Sequence, residues 1–147
     1  MLTNKLMVVC EKVIFAQQSL MPSLINLFTK LTVAVPIAAE IPRNAVAPKE
    51  WVVFSQWDTE RGDETREYIV CTHVLYPDQS SWGEVNRTKI DIVEGRPTSV
   101  YTQMVGFPIG QAGMYTVRVW IEENQRLVVN PLELRIELEL AREQPPQ

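Results

Sequence analysis

The sequence contains little of what catalysis, redox chemistry or nucleic-acid binding usually requires. Its 147 residues include two cysteines and one histidine, and 14 lysines and arginines are outnumbered by 18 acidic residues. With a net charge of −4, the chain lacks the basic footprint of a nucleic-acid-binding domain. No apolar run approaches the roughly 18 residues that a helix needs to cross a bilayer. We therefore expect neither a nucleic acid nor a membrane as a partner.

Alanine is also scarce, at eight residues, whereas valine, isoleucine and threonine together number 38. Such β-branched side chains suit the pleated, half-buried surface of a strand. The hydrophobic fraction of 46% and the charged fraction of 22% are typical of a folded globular domain. We expect one all-β domain over residues 1–141 and a flexible tail over residues 142–147, where Pro145 and Pro146 lie.

Turn residues divide the chain into about eight strands. The clearest strand is 114–122, in which Tyr115, Val117, Val119 and Ile121 alternate with polar residues and Trp120. The segment 23–33 also fits a helical spacing, although its β-branched end favours a strand. The predicted strands are 6–16, 23–33, 49–59, 65–76, 85–93, 99–107, 114–122 and 132–140. This pattern predicts a two-sheet antiparallel β-sandwich.

Three further segments organise the predicted sandwich. The proline-rich stretch 34–48 is typical of a long loop that carries the chain from one sheet to the other. The segment 60–64 is predicted to be a hairpin turn, and 77–84 a polar loop that carries Trp82. Trp51 and Trp57 share one side of their strand and are expected to fill the core.

The residues Gly113-Met-Tyr115-Thr-Val117 resemble the tyrosine corner of immunoglobulin-like sandwiches. In that motif the tyrosine hydroxyl bonds to nearby backbone at a corner of the sheet. The disulfide framework of antibody domains has no counterpart, because Cys10 and Cys71 do not frame a tryptophan strand at the expected spacing. The resemblance implies an immunoglobulin-like β-sandwich.

A second resemblance rests on five short segments in a fixed order. They are Cys10-Glu-Lys-Val-Ile14, Ser23-Leu-Ile25-Asn-Leu-Phe28, Tyr76-Pro-Asp78, Gly113-Met-Tyr115 and Asn130-Pro-Leu132. Their order and spacing, over residues 10 to about 134, resemble those of a family of small uncharacterised bacterial proteins. The resemblance implies a bacterial, cytoplasmic protein with a β-sandwich and implies nothing about catalysis.

The residues that carry catalysis or bind metals are too few to predict a site. His73 lies two residues after Cys71 on one side of a strand, but a structural zinc site needs four ligands at recognisable spacings. A catalytic triad would need His73 as its base, and no nucleophile-elbow, phosphate-loop or dinucleotide motif occurs. We expect a protein that is not an enzyme and has no metal or cofactor.

An alternative function is a carbohydrate- or calcium-binding module. Asp58, Glu60, Asp63 and Glu64 form an acidic cluster, and loop carboxylates can bind calcium. Arg61 and Arg66 interrupt the cluster, as in an ordinary solvated hairpin. Trp82 and Trp120 are the aromatic side chains on which a sugar would stack.

The leading hypothesis is a protein-binding or assembly domain. Alternation places Thr116, Arg118 and Trp120 on the outward side of their strand, and arginine beside tryptophan is typical of interface hot spots. The predicted binding residues are Arg118, Trp120, Thr116 and Trp82. The expected partner is another protein or a second copy of this chain.

The N-terminal segment and the cysteines indicate the compartment. Glu11 and Lys12 interrupt the first apolar run, which makes it shorter than the core of a secretion signal. Without such a signal we expect a cytoplasmic protein, in which Cys10 and Cys71 are reduced, buried thiols.

Overall fold

A computed structural model describes residues 2–15, 22–59, 66–92 and 96–143. These residues form nine β-strands and contain no helix, which confirms the all-β class with one strand more than predicted. The predicted turn at 60–64 lies outside the described residues. The strands are β1 (Leu2–Phe15), β2 (Pro22–Leu27), β3 (Lys30–Pro36), β4 (Val46–Thr59), β5 (Arg66–Leu75), β6 (Ser81–Ile92), β7 (Thr98–Pro108), β8 (Gly113–Glu123) and β9 (Arg126–Glu143).

The strands form two sheets. The four-stranded sheet has the order β2-β1-β4-β7, and the five-stranded sheet has the order β3-β9-β8-β5-β6. Neighbouring strands are antiparallel, except that β3 and β9 run parallel, with Lys30 opposite Glu137. The inner faces of the two sheets meet, since the hydroxyl oxygens of Thr72 and Thr102 lie 3.4 Å apart across the core.

Alternation along the strands places one face of each sheet in this core. The inward residues of β8 are buried as predicted, namely Tyr115, Val117, Val119 and Ile121. Trp51 and Trp57 of β4 are also buried as predicted. The aromatic rings join the sheets, because Phe107 of β7 lies 5.3 Å from Trp51 and 5.2 Å from Tyr115, measured between ring centroids.

The predicted strand 23–33 is wrong, because this segment forms two strands in different sheets. β2 ends at Leu27 in the four-stranded sheet and β3 begins at Lys30 in the five-stranded sheet. The backbone N–H of Phe28 still donates to Val9 of the first sheet, whereas the Thr29 carbonyl accepts from Glu137 of the second. Because the backbone groups on either side of the switch are hydrogen-bonded within one sheet or the other, the chain needs no turn here. The sequence therefore contains no turn residues that would mark the switch of sheets.

The connection from β3 to β4 crosses between the sheets, as the prolines predicted. It is shorter than the predicted loop 34–48, since β3 extends to Pro36 and β4 begins at Val46. The last strand is longer than predicted and extends to Glu143, whose carbonyl accepts a hydrogen bond from the Ile37 N–H. Residues 142 and 143 therefore belong to a strand, although they were expected in a flexible tail.

Tyr115 forms the hydrogen bond expected of a tyrosine corner. It is buried at the start of β8, and its hydroxyl donates to the Gln111 carbonyl at 2.6 Å. Burial raises the pKa of Tyr115 to about 12. The phenol is therefore held in its neutral form, which is the form that donates this bond.

Three loops meet beside this corner. Asp78 accepts hydrogen bonds from the Ser80 backbone and side chain, from Gln111 and from Arg43. These bonds from Ser80 and Gln111 hold the pKa of the Asp78 carboxyl well below its usual range. The loops pack closely, because a Cβ atom at Gly110 would lie 1.9 Å from the Arg43 carbonyl oxygen. The cluster thus fixes the β3–β4, β5–β6 and β7–β8 connections at one end of the sandwich.

The first prediction concerns the Tyr115 hydroxyl. Tyr115→Phe should lower the free energy of unfolding by about 1 kcal/mol or more, because the Gln111 carbonyl loses its donor. Urea denaturation at neutral pH measures the loss. An unchanged midpoint would contradict a stabilising role for the hydroxyl.

The same substitution should change the response to alkali. Because the pKa of Tyr115 is about 12 in the folded protein and its ordinary value is 10.0, folding favours the protonated phenol. Its contribution to stability is present below pH 10 and is lost as the pH rises through about 12. As the pH rises from 10 to about 12, the Tyr115→Phe variant should lose less free energy of unfolding than the wild type. Equal losses in the two proteins would contradict a raised pKa for Tyr115.

Candidate functional site

Arg118 and Trp120 lie together on the outer face of the five-stranded sheet, as the alternation of β8 predicted. The Arg118 guanidinium is paired with Glu133 of β9, with its Nε atom 2.9 Å from the carboxylate. The Trp120 indole N–H donates to Glu122 at 3.0 Å, and Arg87 of β6 contacts the same carboxylate at 2.7 Å. Trp120 is half-buried. Both side chains therefore already have partners within the sheet, and their binding role stays a prediction.

The other two predicted binding residues lie elsewhere. Thr116 is buried, at 4% exposure, between Leu75 of β5 and Arg135 of β9 in register, so its predicted outward exposure is wrong. The predicted loop position of Trp82 is also wrong, since Trp82 lies in β6 opposite Val74 and packs against the core. Val74 faces inward, whereas Trp120 faces outward. The four residues are therefore not brought together on one surface.

Cys71 and His73 share the outer face of β5, as predicted. Cys71 is buried beneath Arg87, whose guanidinium lies 3.2 Å from the sulfur, and burial raises the pKa of the Cys71 thiol. His73 bonds to the Ser81 hydroxyl and packs edge-on against Trp120, with ring centroids 6.4 Å apart. Burial, and secondarily the charge of Arg118, lowers the pKa of His73. A protonated thiol and a hydrogen-bonded neutral imidazole fit a structural role.

Metal ligands do not converge in the part of the chain that the structure describes. No group of three or more His, Cys, Asp or Glu side chains there could hold an ion. Of the acidic cluster predicted as an alternative calcium site, Asp58 is described and accepts a hydrogen bond from the Thr59 N–H. The other carboxylates of that cluster lie outside the described residues.

The outer face of the four-stranded sheet has an apolar centre, which the predictions missed, with Lys12, Glu50, Gln56 and Gln103 on the same side of the sheet. Val8 lies opposite Phe54, Phe54 lies opposite Tyr101, and all three alternate with inward residues. We call this surface the apolar face; its residues are Leu6, Val8, Cys10, Ile25, Leu27, Val52, Phe54, Tyr101 and Val105. The signal for it was the uninterrupted apolar run Trp51-Val-Val-Phe54, which indicates a strand with both sides covered.

Exposure on the apolar face increases from the centre to the periphery. Phe54 is 1% exposed at the centre, whereas Tyr101 is 51%, Leu27 58% and Val105 77% exposed. Exposed aliphatic and aromatic residues on a contiguous surface mark interaction sites more often than scattered ones do. The face thus has a well-packed centre and accessible apolar residues around it.

Two cavities open along the sides of the sandwich. One, of about 230 Å³, lies between β1 and β9 and is lined by Met7, Phe28 and Ile136. The other, of about 250 Å³, lies between β6 and β7 and is lined by Trp82 and Met104. Both fall below the roughly 300 Å³ at which small-molecule sites begin. Two more open depressions are larger, one of about 660 Å³ beside Glu11 and Leu31 and one of about 570 Å³ beside Asn124 and Leu127.

Two comparisons with known proteins found no match. No model of a known protein family matches the chain, and no curated protein matches it. Within the ranges that the structure describes, no helix has the length and apolar character needed to span a membrane.

The next prediction concerns the two thiols. Both cysteines are buried, and burial raises the pKa of each. Since the thiolate is the reactive form, both should react slowly with a disulfide reagent in the folded protein and rapidly after denaturation. We expect two titratable thiols per denatured chain without reductant. A disulfide between Cys10 and Cys71 in protein from the native host would contradict this.

Proposed function

We propose that this protein is a non-enzymatic protein-binding or assembly domain, acting as an accessory subunit or adaptor of a bacterial complex. The observation that carries the proposal is the apolar face. Within the described chain the opposite outer face carries several ion pairs, including Arg118–Glu133 and Lys30–Glu139. A sandwich with one charged and one apolar outer face suits docking through the apolar one.

The chemistry of the apolar face suits a protein partner. Its exposed apolar residues are aliphatic or aromatic, and charged side chains lie beside them on the same side of the sheet, with Lys12 opposite Ile25 and Glu50 opposite Val105. Protein interfaces share this arrangement of an apolar centre, a polar rim and tyrosine among the contact residues. Flat apolar surface of this kind offers little to a polar small molecule.

The immunoglobulin-like character of the sandwich is part of the proposal. The pairing of β4 with β7 corresponds to that of strands B and E in an immunoglobulin-like sandwich. The order β9-β8-β5-β6 within the five-stranded sheet corresponds to the order G-F-C-C′. Tyr115 then lies near the start of the F-equivalent strand, where a tyrosine corner belongs. The chain departs from antibody domains because neither Cys10 nor Cys71 lies on the B- or F-equivalent strand.

Bacterial origin and a cytoplasmic location are also proposed. The order of the five sequence landmarks supports the first. Two buried thiols with raised pKa values are compatible with a reducing compartment.

The alternative of a carbohydrate-binding module has less support. Trp82 packs on the core side of the five-stranded sheet, whereas Trp120 lies on its outer face and bonds to Glu122. The two rings therefore do not form one stacking platform for a sugar.

The test is recovery of a partner from the native host with matched baits. Leu27→Glu places a charge on the apolar face at a residue that is 58% exposed, and Leu127→Glu places the same charge on β9 at 53% exposure. We expect Leu27→Glu to reduce recovery of a stoichiometric partner at least about tenfold, since a buried unpaired charge opposes docking. Leu127→Glu should retain it.

A double variant at Arg118 and Trp120 tests the binding site that was predicted from the sequence. Arg118→Ala with Trp120→Ala should leave partner recovery unchanged if the apolar face is the docking surface. Loss with this double variant and retention with Leu27→Glu would overturn the proposal, as would equal recovery with every bait. Circular dichroism confirms that each bait is folded.

A further inference from the structure

The strands at the sheet edges differ in how they are protected against pairing with another chain. Exposed edges are commonly blunted by charged residues, proline or short length, because their backbone groups can bind another strand. β2 is six residues long and begins with Pro22, and β3 carries Lys30 and ends at Pro36. β6 carries Glu84, Arg87, Lys89 and Asp91. These three edges are protected in the usual ways.

Parts of β1 and β9 also lie at an edge, where β2 and β3 do not reach. There Lys5 lies at the register shift between Asn4 and Leu6 of β1. Pro131 lies at the shift beside Leu132 of β9. Both irregularities disrupt the regular ladder that an added strand would need.

β7 lacks the charged side chains of these edges and is longer than β2 and β3. Its irregularity lies near one end, where Gly106 has a φ of 83° and β4 shifts register between Ala47 and Glu50. Its eleven residues, TSVYTQMVGFP, include no charged side chain, and proline occurs only at the last position. In the described structure β7 is hydrogen-bonded to β4 on one side and lies at the edge of the four-stranded sheet on the other. Its outward residues Tyr101, Gln103 and Val105 are exposed. A long, uncharged, apolar edge is a predicted association site.

The sequence of β7 is complementary to itself. The midpoint of Thr98–Pro108 is Gln103. An antiparallel pair related by a two-fold axis through Gln103 aligns residues 101–105 of each copy, within the regular part of the strand, and places Tyr101 opposite Val105 twice. An aromatic residue opposite a β-branched residue is a favourable cross-strand pair. Regular pairing and burial of the two exposed apolar residues of β7 therefore coincide in one register.

We propose that two copies of this chain associate through β7, antiparallel and centred on Gln103, to form one continuous eight-stranded sheet. The proposal rests on the proposed assembly function and names a second copy as the partner at this edge. Such a contact is isologous, so it closes at a dimer. It joins the two apolar faces into one surface, since Tyr101 and Val105 belong to both the edge and the face.

The neighbouring edge of the other sheet is compatible with this pairing. β6 lies beside β7 across the sandwich, and it carries two acidic and two basic residues, Glu84 and Asp91 with Arg87 and Lys89. Its charges therefore sum to zero, and two copies brought together there do not meet as like-charged surfaces. Because one strand edge is a small interface, we expect a dissociation constant of about 1–100 μM.

The first experiment places a cysteine on the proposed axis. Residues directly opposite in an antiparallel pair have Cα atoms about 4.5–5.5 Å apart, which a disulfide spans. Gln103→Cys should therefore form a crosslinked dimer on mild oxidation, at least about tenfold more than Thr32→Cys. Thr32 is the matched control, because it is an exposed residue on the far edge strand, β3. The native cysteines are buried and do not compete.

The second experiment tests the register by charge exchange. Val105→Lys and Tyr101→Glu should each weaken the dimer about tenfold or more, as charged edges do in natural sheets. The double variant places the introduced lysine of each copy opposite the introduced glutamate of the other, and it should restore association toward the wild-type value. Thr32→Lys is the control and should leave the dimer unchanged. Sedimentation velocity over a concentration series measures all of these dissociation constants.

The outcomes separate this proposal from the proposed function. A wild type that stays monomeric to about 1 mM, or a dimer that survives Val105→Lys, would overturn the β7 edge. If Leu27→Glu abolishes self-association and Gln103→Cys does not crosslink, the copies associate through the apolar face, and only the edge proposal fails. If β7 pairs as expected but Leu27→Glu retains the partner from the host, the edge stands and the face proposal fails.

Discussion

The aromatic contacts across the core are the interaction on which the rest of the structure depends. Trp51 and Phe107 belong to one sheet and Tyr115 belongs to the other, and their rings lie in one continuous cluster. The polar atoms of the two amphipathic rings are satisfied, since the Trp51 indole N–H donates to the Gly106 carbonyl at 2.8 Å and Tyr115 donates to Gln111. Large buried rings with satisfied polar atoms stabilise the packing and also specify one arrangement of the sheets.

The two outer faces can differ in residue composition because neither of them packs in the core. On the five-stranded sheet, polar residues alternate with apolar ones and pair with each other across strands. On the four-stranded sheet, the middle of β4 is apolar on both sides, so Val52 and Phe54 are buried outside the core while Leu27 and Tyr101 on the same face stay accessible. Residues kept apolar where folding does not require it are more informative about function than the residues of the core.

Predictions from the sequence succeeded where the pattern within a single strand or turn determines the burial of a residue. The buried side of β8, the burial of Trp51 and Trp57 and the hydroxyl bond of Tyr115 all follow from period-two alternation or a local motif. They failed where a neighbouring segment determines whether a residue is buried. Thr116 faces outward but is covered between Leu75 and Arg135. The proline and polar residues before Trp82 indicate a loop, whereas Trp82 lies in β6.

The sequence alone therefore determined the all-β class, most strand positions and the inward residues, because alternation and turn chemistry are local properties of the chain. The tertiary structure decided which strands are neighbours, and hence the switch of sheets at residues 28 and 29, the protected and unprotected edges and the apolar face. These features depend on pairing between segments far apart in the chain, such as β4 with β7 and β3 with β9. Hydrophobic periodicity records that a residue is covered, but it does not record which strand covers it.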